Sequence, residues 1–119
     1  MFNCDKVYLD NCDLGRGVFS KQDIKKGEII ELGIVAPYKN IDGNHIPHLL
    51  TWSNDRTIWG VATGLISWYN HSDEPNAKKN GDLINNTIEV LALEDIKKGD
   101  QIFTKYFSQD WRECWKGVL

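Results

Sequence analysis

Cysteine is scarce in this 119-residue chain, and its three copies are scattered: Cys4, Cys12 and Cys114. An odd number without C-x-x-C spacing predicts neither a disulfide framework nor a zinc-binding motif. We therefore expect free thiols, as in a protein of a reducing compartment. The three histidines also lack the spacing of a zinc site, and we expect no metal: His45, His48 and His71.

Long apolar runs and an excess of positive charge are also absent. The N-terminal segment, with Asp5 and Lys6, has no apolar core, so we predict no signal peptide. No apolar run approaches the roughly 20 residues of a membrane span. The net charge of −3 disfavours a nucleic-acid binder and would suit a basic partner such as a lysine-rich peptide. We expect an intracellular protein.

The signatures of a hydrolase are missing as well. The chain contains no G-x-S-x-G nucleophile elbow. Asp73 and Glu74 are adjacent in sequence, so their carboxylates point apart and not at one substrate. The length is that of one domain, and we expect residues 1–119 to fold as a single unit.

Short strands and many turns dominate what the sequence does contain. Apolar alternation and β-branched residues predict strands at residues 7–9, 18–19, 28–38, 87–93 and 101–106. We expect the third of these to stop at Pro37. Residues 58–69 are mainly apolar but include Gly60 and Gly64, which favour a strand followed by a short helical or irregular piece over a long helix. The sequence predicts a mainly β domain with little helix.

A short internal repeat joins a lysine-bearing turn to a strand. Asp-Ile-Lys-Lys-Gly occurs at residues 23–27 and again at residues 95–99, each followed by an acid and then an isoleucine two positions later. We expect a turn closed by the glycine in each copy, with Ile24 and Ile96 pinning it to the core. The lysines are expected to be solvated.

The most distinctive stretch is a polar loop at residues 69–77, Tyr-Asn-His-Ser-Asp-Glu-Pro-Asn-Ala. Its amide, imidazole and hydroxyl side chains can hydrogen-bond nearby backbone, and Pro75 fixes a turn. Upstream, Gly15-Arg16-Gly17 allows a sharp turn and a close backbone approach. Taken singly, these features indicate a hydrogen-bonded turn and a hairpin, and Tyr106 and Trp111 would be core aromatic residues.

In combination and in this order, the segments resemble the SET-domain protein-lysine methyltransferases. The matching pieces span most of the chain: residues 15–19, 24–30, 69–77 and 98–106. In size, the chain resembles the minimal viral SET histone methyltransferases, which implies a viral protein without a pre-SET or post-SET module.

The resemblance implies a SET-domain (β-clip) fold of several small sheets. In that fold, the strand leading to Tyr106 lies against the Asn70-His71-Ser72 segment in a knot-like C-terminal threading, which is an exception to the usual rule against threaded chains. We therefore expect Asn70, His71 and Tyr106 to meet in space.

The resemblance also implies transfer of a methyl group from S-adenosylmethionine to a protein lysine, with S-adenosylhomocysteine as product. Such chemistry is mainly a matter of positioning the amine, and an apolar channel disfavours its charged form, so no strong base is needed. The residues that the family pattern assigns are Tyr106 as the catalytic residue, Gly15, Arg16, Gly17, Asn70, His71 and Trp111 at the cofactor, and Tyr69, Thr104 and Tyr106 in the substrate channel.

By the same resemblance, the substrate is expected to be a histone tail, with histone H3 the best candidate, and the protein a homodimer that binds neither nucleic acid nor membrane. If it is viral, we expect it in the nucleus or cytoplasm of the host cell. The cysteine-rich post-SET zinc motif is missing, so no zinc is expected.

Several departures from the family pattern favour a second hypothesis. Arg16 and Asp110 stand where relatives often carry aromatic residues, and His48 lies near the place of a missing tyrosine. Thr104 occupies the position where many relatives carry Phe or Tyr, which controls how many methyl groups are added. The alternative is a catalytically weak SET-like module that binds peptide or cofactor without efficient turnover. A third hypothesis is an interaction domain that never binds the cofactor.

Overall fold

The computed structural model describes residues 3–105 of the chain. In chain order its elements are β1 (Val7–Cys12), β2 (Gly15–Ser20), β3 (Ile29–Tyr38), β4 (Leu50–Thr51), β5 (Trp59–Ala62), a 3₁₀ helix (Ile66–Trp68), β6 (Asn70–His71), β7 (Ala77–Asp82), β8 (Thr87–Ala92) and β9 (Gln101–Thr104). Among these described residues, no helix is long and apolar enough to cross a membrane. The prediction of a mainly β fold with little helix is confirmed.

One sheet has the strand order β1-β2-β9-β6. β1 and β2 form an antiparallel hairpin, and β9 pairs antiparallel with β2 through Val18 and Ile102. The short β6 is parallel to β9, with Asn70 opposite Phe103 and His71 opposite Thr104. This sheet therefore joins the beginning, the middle and the late part of the chain.

The second sheet is antiparallel throughout, in the order β4-β5-β3-β8-β7. The register of β3 against β8 shifts between Ile29 and Glu31. Such a bulge places an extra residue on one strand and breaks the alternation of its side chains. As a result, Ile30 and Glu31 are consecutive and both buried, at 2% and 1% exposure.

The core consists mainly of aliphatic side chains, which come from both sheets and from the 3₁₀ helix. Fully buried members come from several elements: Val18, Ile66, Tyr69, Val90 and Ile102. Burial of a side chain of this size contributes about 1.5–3 kcal/mol. The core therefore contains residues of both sheets together with Ile66 and Tyr69, which lie just before β6.

The two copies of the repeat pair with each other. Ile24 and Ile96 form an antiparallel bridge, with backbone N–H···O distances of 2.7 and 2.8 Å, and both side chains are buried. Asp23 Oδ1 accepts a hydrogen bond from Lys98 N, and Asp95 Oδ1 accepts one from Lys26 N, both at 2.9 Å. The prediction that the isoleucines pin the turns to the core is confirmed, and the pairing adds a local two-fold relation between the copies.

The predicted strands are present, but β2 begins already at Gly15, and three further differences stand out. β1 continues to Cys12, and β3 runs through Pro37 to Tyr38, opposite Trp59. β7 was not predicted, because its sequence Ala-Lys-Lys-Asn-Gly-Asp is polar and resembles a loop. Six backbone pairings with β8 hold it at the edge of the sheet, where polar residues are tolerated. Tyr106, Asp110, Trp111 and Cys114 lie outside the described residues.

Candidate active site

The polar loop runs along β9 as expected. Asn70 and His71 form β6 beside Phe103 and Thr104, and Ser72 N donates to Thr104 O at 3.0 Å. The contact between the Asn-His-Ser segment and the late strand is therefore confirmed up to Thr104, two residues before Tyr106. Tyr106 itself lies outside the described residues, so its meeting with Asn70 and His71 stays a prediction.

The side chain of Asn70 ties three strands together. Its amide nitrogen donates to Arg16 O at 2.9 Å and to Gln101 Oε1 at 3.0 Å, and it lies 3.5 Å from Cys12 Sγ. The two amide hydrogens suffice for the two oxygen acceptors, and the sulfur is a weak third contact. Asn70 thereby fixes the Gly15-Arg16-Gly17 turn against the strand that leads to Tyr106.

The two glycines of that turn are required for different reasons. Gly15 has a φ of +101°, in a region that side chains with a Cβ rarely adopt. At Gly17 a Cβ would lie 2.3 Å from Gln101 Oε1 and 2.9 Å from Asn70 Nδ2. The predicted sharp turn lies at Asp13-Leu14, just before these glycines, which already belong to β2. The predicted close backbone approach is confirmed at Gly17.

Asn76, at the far end of the loop, acts on β9 as a neighbouring strand would. Its Nδ2 donates to Gln101 O at 3.0 Å, and its Oδ1 accepts from Phe103 N at 2.8 Å. Its own carbonyl accepts a hydrogen bond from Leu93 N at 2.9 Å. The two asparagines of the loop therefore hold β9 from both ends of the motif.

His71 is held by its own loop. Its Nε2 lies 2.9 Å from Asp73 Oδ1, and its side chain is only 8% exposed. This contact agrees with a hydrogen-bonded turn histidine, whereas the predicted cofactor contact of His71 stays untested. Upstream, the ring of His48 lies 4.3 Å from that of Trp68, and its Nδ1 is 3.2 Å from Ser67 O.

The predicted channel residues Tyr69 and Thr104 are both buried. Thr104 Oγ1 has no hydrogen-bond partner among residues 3–105. The Tyr69 hydroxyl donates to Glu31 Oε1 at 2.7 Å. Their roles in a channel stay predictions, since Tyr106 and Trp111, which would complete the site, are outside the described residues.

Glu31 and Gln101 are site-supporting residues that sequence reasoning missed. Gln101 orients Asn70 and packs against Gly17. Buried Glu31 and Tyr69 form a cluster with the half-buried Lys79, whose Nζ lies 5.6 Å from the centroid of the Tyr69 ring. No signal in a single sequence marks Gln101. The burial of Glu31 depends on which side of β3 faces the core, and only the pairing of the sheet shows this.

Electrostatics in this cluster reflect burial. Burial raises the pKa of Glu31 and, together with the negative charge of Glu31, raises that of Tyr69. Burial also lowers the pKa of Lys79 to about 8, although the Glu31 charge opposes that change. Within residues 3–105, no group of three or more His, Cys, Asp or Glu side chains is arranged to hold a metal ion.

Comparison with known proteins agrees with this geometry. A sequence model of the SET domain matches residues 15–107. A histone-lysine N-methyltransferase of Schizosaccharomyces pombe, specific for lysine-37 of H3, is 28% identical over 104 residues, which cover 83% of this chain and 71% of the relative.

Solved structures show the same fold. A candidate histone methyltransferase of Plasmodium falciparum is 33% identical, with a TM-score of 0.71 over 86% of this chain and 97% of that one. A chain of the Chaetomium thermophilum Polycomb Repressive Complex 2, bound to S-adenosylmethionine in an autoinhibited conformation, has a TM-score of 0.70 at 21% identity, over 89% of this chain and 16% of that one. This second likeness concerns the fold alone.

The chain belongs to the SET-domain family. By class it is a protein-lysine methyltransferase. The predicted fold class and enzyme class are therefore confirmed.

Proposed function

We propose that the protein transfers a methyl group from S-adenosylmethionine to a lysine of a histone tail, with histone H3 as the first candidate. The observation that carries the proposal is the Asn70 amide, which bridges Arg16 O and Gln101 Oε1. It brings the glycine turn, the Asn-His-Ser loop and the strand leading to Tyr106 to one place. These are the segments that the family uses for cofactor and lysine.

The residues around the glycine turn fit such a cofactor. A Cβ at Gly15 would meet no heavy atom within 4 Å, so the turn leaves open space beside its backbone. Arg16 is exposed there, and its guanidinium can pair with the carboxylate of the methionine moiety. We assign the cofactor to Gly15, Arg16, Gly17, Asn70 and His71, with Trp111 packing on the adenine.

When bound, the cofactor supplies a methyl group activated by a sulfonium. The protein must then align the lysine amine behind that methyl group, which can account for about 7–11 kcal/mol of the barrier in well-oriented reactions. The Tyr106 phenol is assigned to orient the amine, and Tyr69 and Thr104 to line the channel. A free lysine has a pKa of about 10.4, and an apolar channel lowers it, so the amine can lose its proton to solvent without a dedicated base.

Histone H3 is favoured as substrate by two observations. The S. pombe relative is named as specific for an H3 lysine. The chain also carries a net charge of −3, which complements a basic tail. Thr104 is smaller than the Phe or Tyr that many relatives carry at this position. Mass spectrometry of the product determines how many methyl groups are added.

Three further expectations rest on the likeness in size to the minimal viral SET proteins. They are a homodimer, a viral origin, and a location in the nucleus or cytoplasm of the infected cell. Sedimentation equilibrium at micromolar concentration tests the dimer, and a monomer at all concentrations contradicts it.

A catalytically weak module is the second hypothesis, favoured by Arg16 and Asp110 at positions that are often aromatic in relatives. Calorimetry with S-adenosylhomocysteine and transfer of a tritiated methyl group to a panel of histones separate the possibilities. Binding with transfer supports the proposed enzyme, and binding without transfer supports the weak module. Absence of binding by the folded protein would refute both.

A further inference from the structure

Glu31 is a buried carboxylate held by two hydrogen bonds to one short segment. Its Oε1 accepts from the Tyr69 hydroxyl at 2.7 Å, and its Oε2 accepts from Leu65 N at 2.8 Å. The residue is 1% exposed. Even the backbone beside it is packed closely, because a Cβ at Gly64 would lie 2.3 Å from Oε2. Glu31 on β3 therefore fastens both ends of the segment from Leu65 to Tyr69.

This arrangement is a poor way to stabilise a core. Removing a carboxylate from water is costly, and an apolar replacement of similar volume is often at least as stable. The described residues offer Lys79 as a countercharge, and its Nζ lies over the Tyr69 ring and not in a direct pair with Glu31. A contribution other than overall stability is needed to explain why the carboxylate is there.

The location of the segment supplies that contribution. Leu65 precedes the 3₁₀ helix Ile66–Trp68, and Tyr69 immediately precedes Asn70 and His71. The position of Asn70 relative to Arg16 O and Gln101 thus depends on where Tyr69 is held. A displacement of about 1 Å in a reacting constellation can cost a hundredfold in rate.

We propose that Glu31 is a positioning residue for methyl transfer, which acts through Tyr69 and Leu65 to fix β6 against the glycine turn and β9. This inference rests on the proposed function, because it concerns the same site. Both oxygens of Glu31 are bonded within the protein, to Tyr69 and Leu65, so the residue is assigned to act through them and not on the substrate. Its loss is expected to lower kcat by about tenfold to a hundredfold, with little effect on the KM for peptide.

The test compares Tyr69→Phe, Glu31→Met and the double variant in methyl transfer to the best histone substrate of the parent protein. Methionine is similar in volume to Glu31 but offers no oxygen to accept from the Tyr69 hydroxyl. Tyr69→Phe removes only the hydroxyl, so the core volume is kept and the variant is expected to fold. Because both substitutions delete the same contact, the double variant is expected to be no slower than the slower single variant. If the Tyr69 hydroxyl acts directly in the channel instead, the two losses in kcat will multiply.

Trp52→Phe is the matched control. It removes another buried donor, the indole N–H that bonds Asn86 Oδ1 at 2.9 Å. Trp52 follows β4, and Asn86 lies in the turn between β7 and β8, so this bond belongs to the periphery of the second sheet. It is expected to lower the unfolding midpoint while leaving kcat within twofold of the parent. Unfolding midpoints in urea are measured for every variant.

The inference is overturned if folded Tyr69→Phe keeps kcat within twofold of the parent, or if the losses multiply. Should Glu31→Met fail to fold, Glu31→Gln takes its place, because its amide offers one oxygen instead of two for the Tyr69 hydroxyl and Leu65 N. In these cases the parent still transfers methyl groups, and the proposed function stands. If the parent itself methylates no substrate, the proposed function fails and the inference fails with it.

Discussion

Substitution of Gly17 by Ala is expected to separate cofactor binding from folding. The new Cβ would lie 2.3 Å from Gln101 Oε1, whereas ordinary contacts begin near 3.4 Å, so the end of Gln101 must retreat by about 1 Å. That retreat breaks its hydrogen bond to Asn70, which contributes about 0.5–1.5 kcal/mol. Crowding adds about 1–3 kcal/mol.

The combined loss of about 1.5–4.5 kcal/mol is smaller than the usual 5–15 kcal/mol stability of a domain, so the variant is expected to fold. Its Asn70 amide, however, is pushed away from Arg16 O, because the Cβ also approaches Nδ2 to 2.9 Å. Calorimetry is expected to show at least about tenfold weaker binding of S-adenosylhomocysteine, which corresponds to roughly 1.4 kcal/mol.

Gly60→Ala is the matched control for crowding. Its Cβ would lie 2.5 Å from Val35 Cγ1 in the second sheet, away from the loop. Urea denaturation is expected to show a comparable loss of about 1–3 kcal/mol, with cofactor affinity within twofold of the parent. The reasoning is refuted if folded Gly17→Ala binds like the parent, or if Gly60→Ala loses as much affinity.

Three further predictions concern single side chains. Tyr106→Phe is expected to reduce methyl transfer sharply while leaving the urea midpoint unchanged, and unchanged transfer would contradict its catalytic assignment. Asn76→Ala removes the hydrogen bonds of the Asn76 side chain to Gln101 O and Phe103 N. The free energy of unfolding is expected to fall by about 2–4 kcal/mol, and the Phe103 amide hydrogen to exchange faster. Unaltered exchange at Phe103 would argue against the role of Asn76 in holding β9. The pKa of Lys79 is lowered from 10.5 to about 8 in the folded protein. Between pH 8 and pH 10.5 the folded state therefore binds fewer protons than the unfolded state. The free energy of unfolding should rise with pH across this range, by about 1–3 kcal/mol. Lys79→Met should be more stable at pH 7 and lack that rise. Identical pH dependence of the two proteins in urea denaturation would contradict the lowered pKa of Lys79.

The sequence predicted the parts of the fold that local pattern governs. Alternating apolar residues located β8 and β9, and the glycines within residues 58–69 correctly favoured a strand and a short helical piece over a long helix. The glycine turn and the loop were located because their residue types have few alternative uses. Their meeting through Asn70 followed from family resemblance and is now visible as hydrogen bonds.

What the sequence could not predict depends on long-range pairing. β7 is polar and becomes a strand only because β8 offers its edge. Apolar residues at positions 30, 32 and 34 would place Glu31 on the solvent face. The sheet instead buries Glu31, Gly33 and Val35, and the bulge against β8 turns Ile30 inward as well. The bridge between Ile24 and Ile96 joins distant copies of a repeat whose similarity alone does not imply contact.

The decisive measurement is mass spectrometry of histone H3 after incubation with the protein and S-adenosylmethionine. We predict the addition of methyl groups to a specific lysine, with a rate that rises from neutral toward alkaline pH because the amine must lose its proton. The same incubation with Tyr106→Phe should leave H3 essentially unmodified. Unmodified H3 and unmodified other histones, after incubation with folded protein that binds S-adenosylhomocysteine, would contradict the proposed histone methylation.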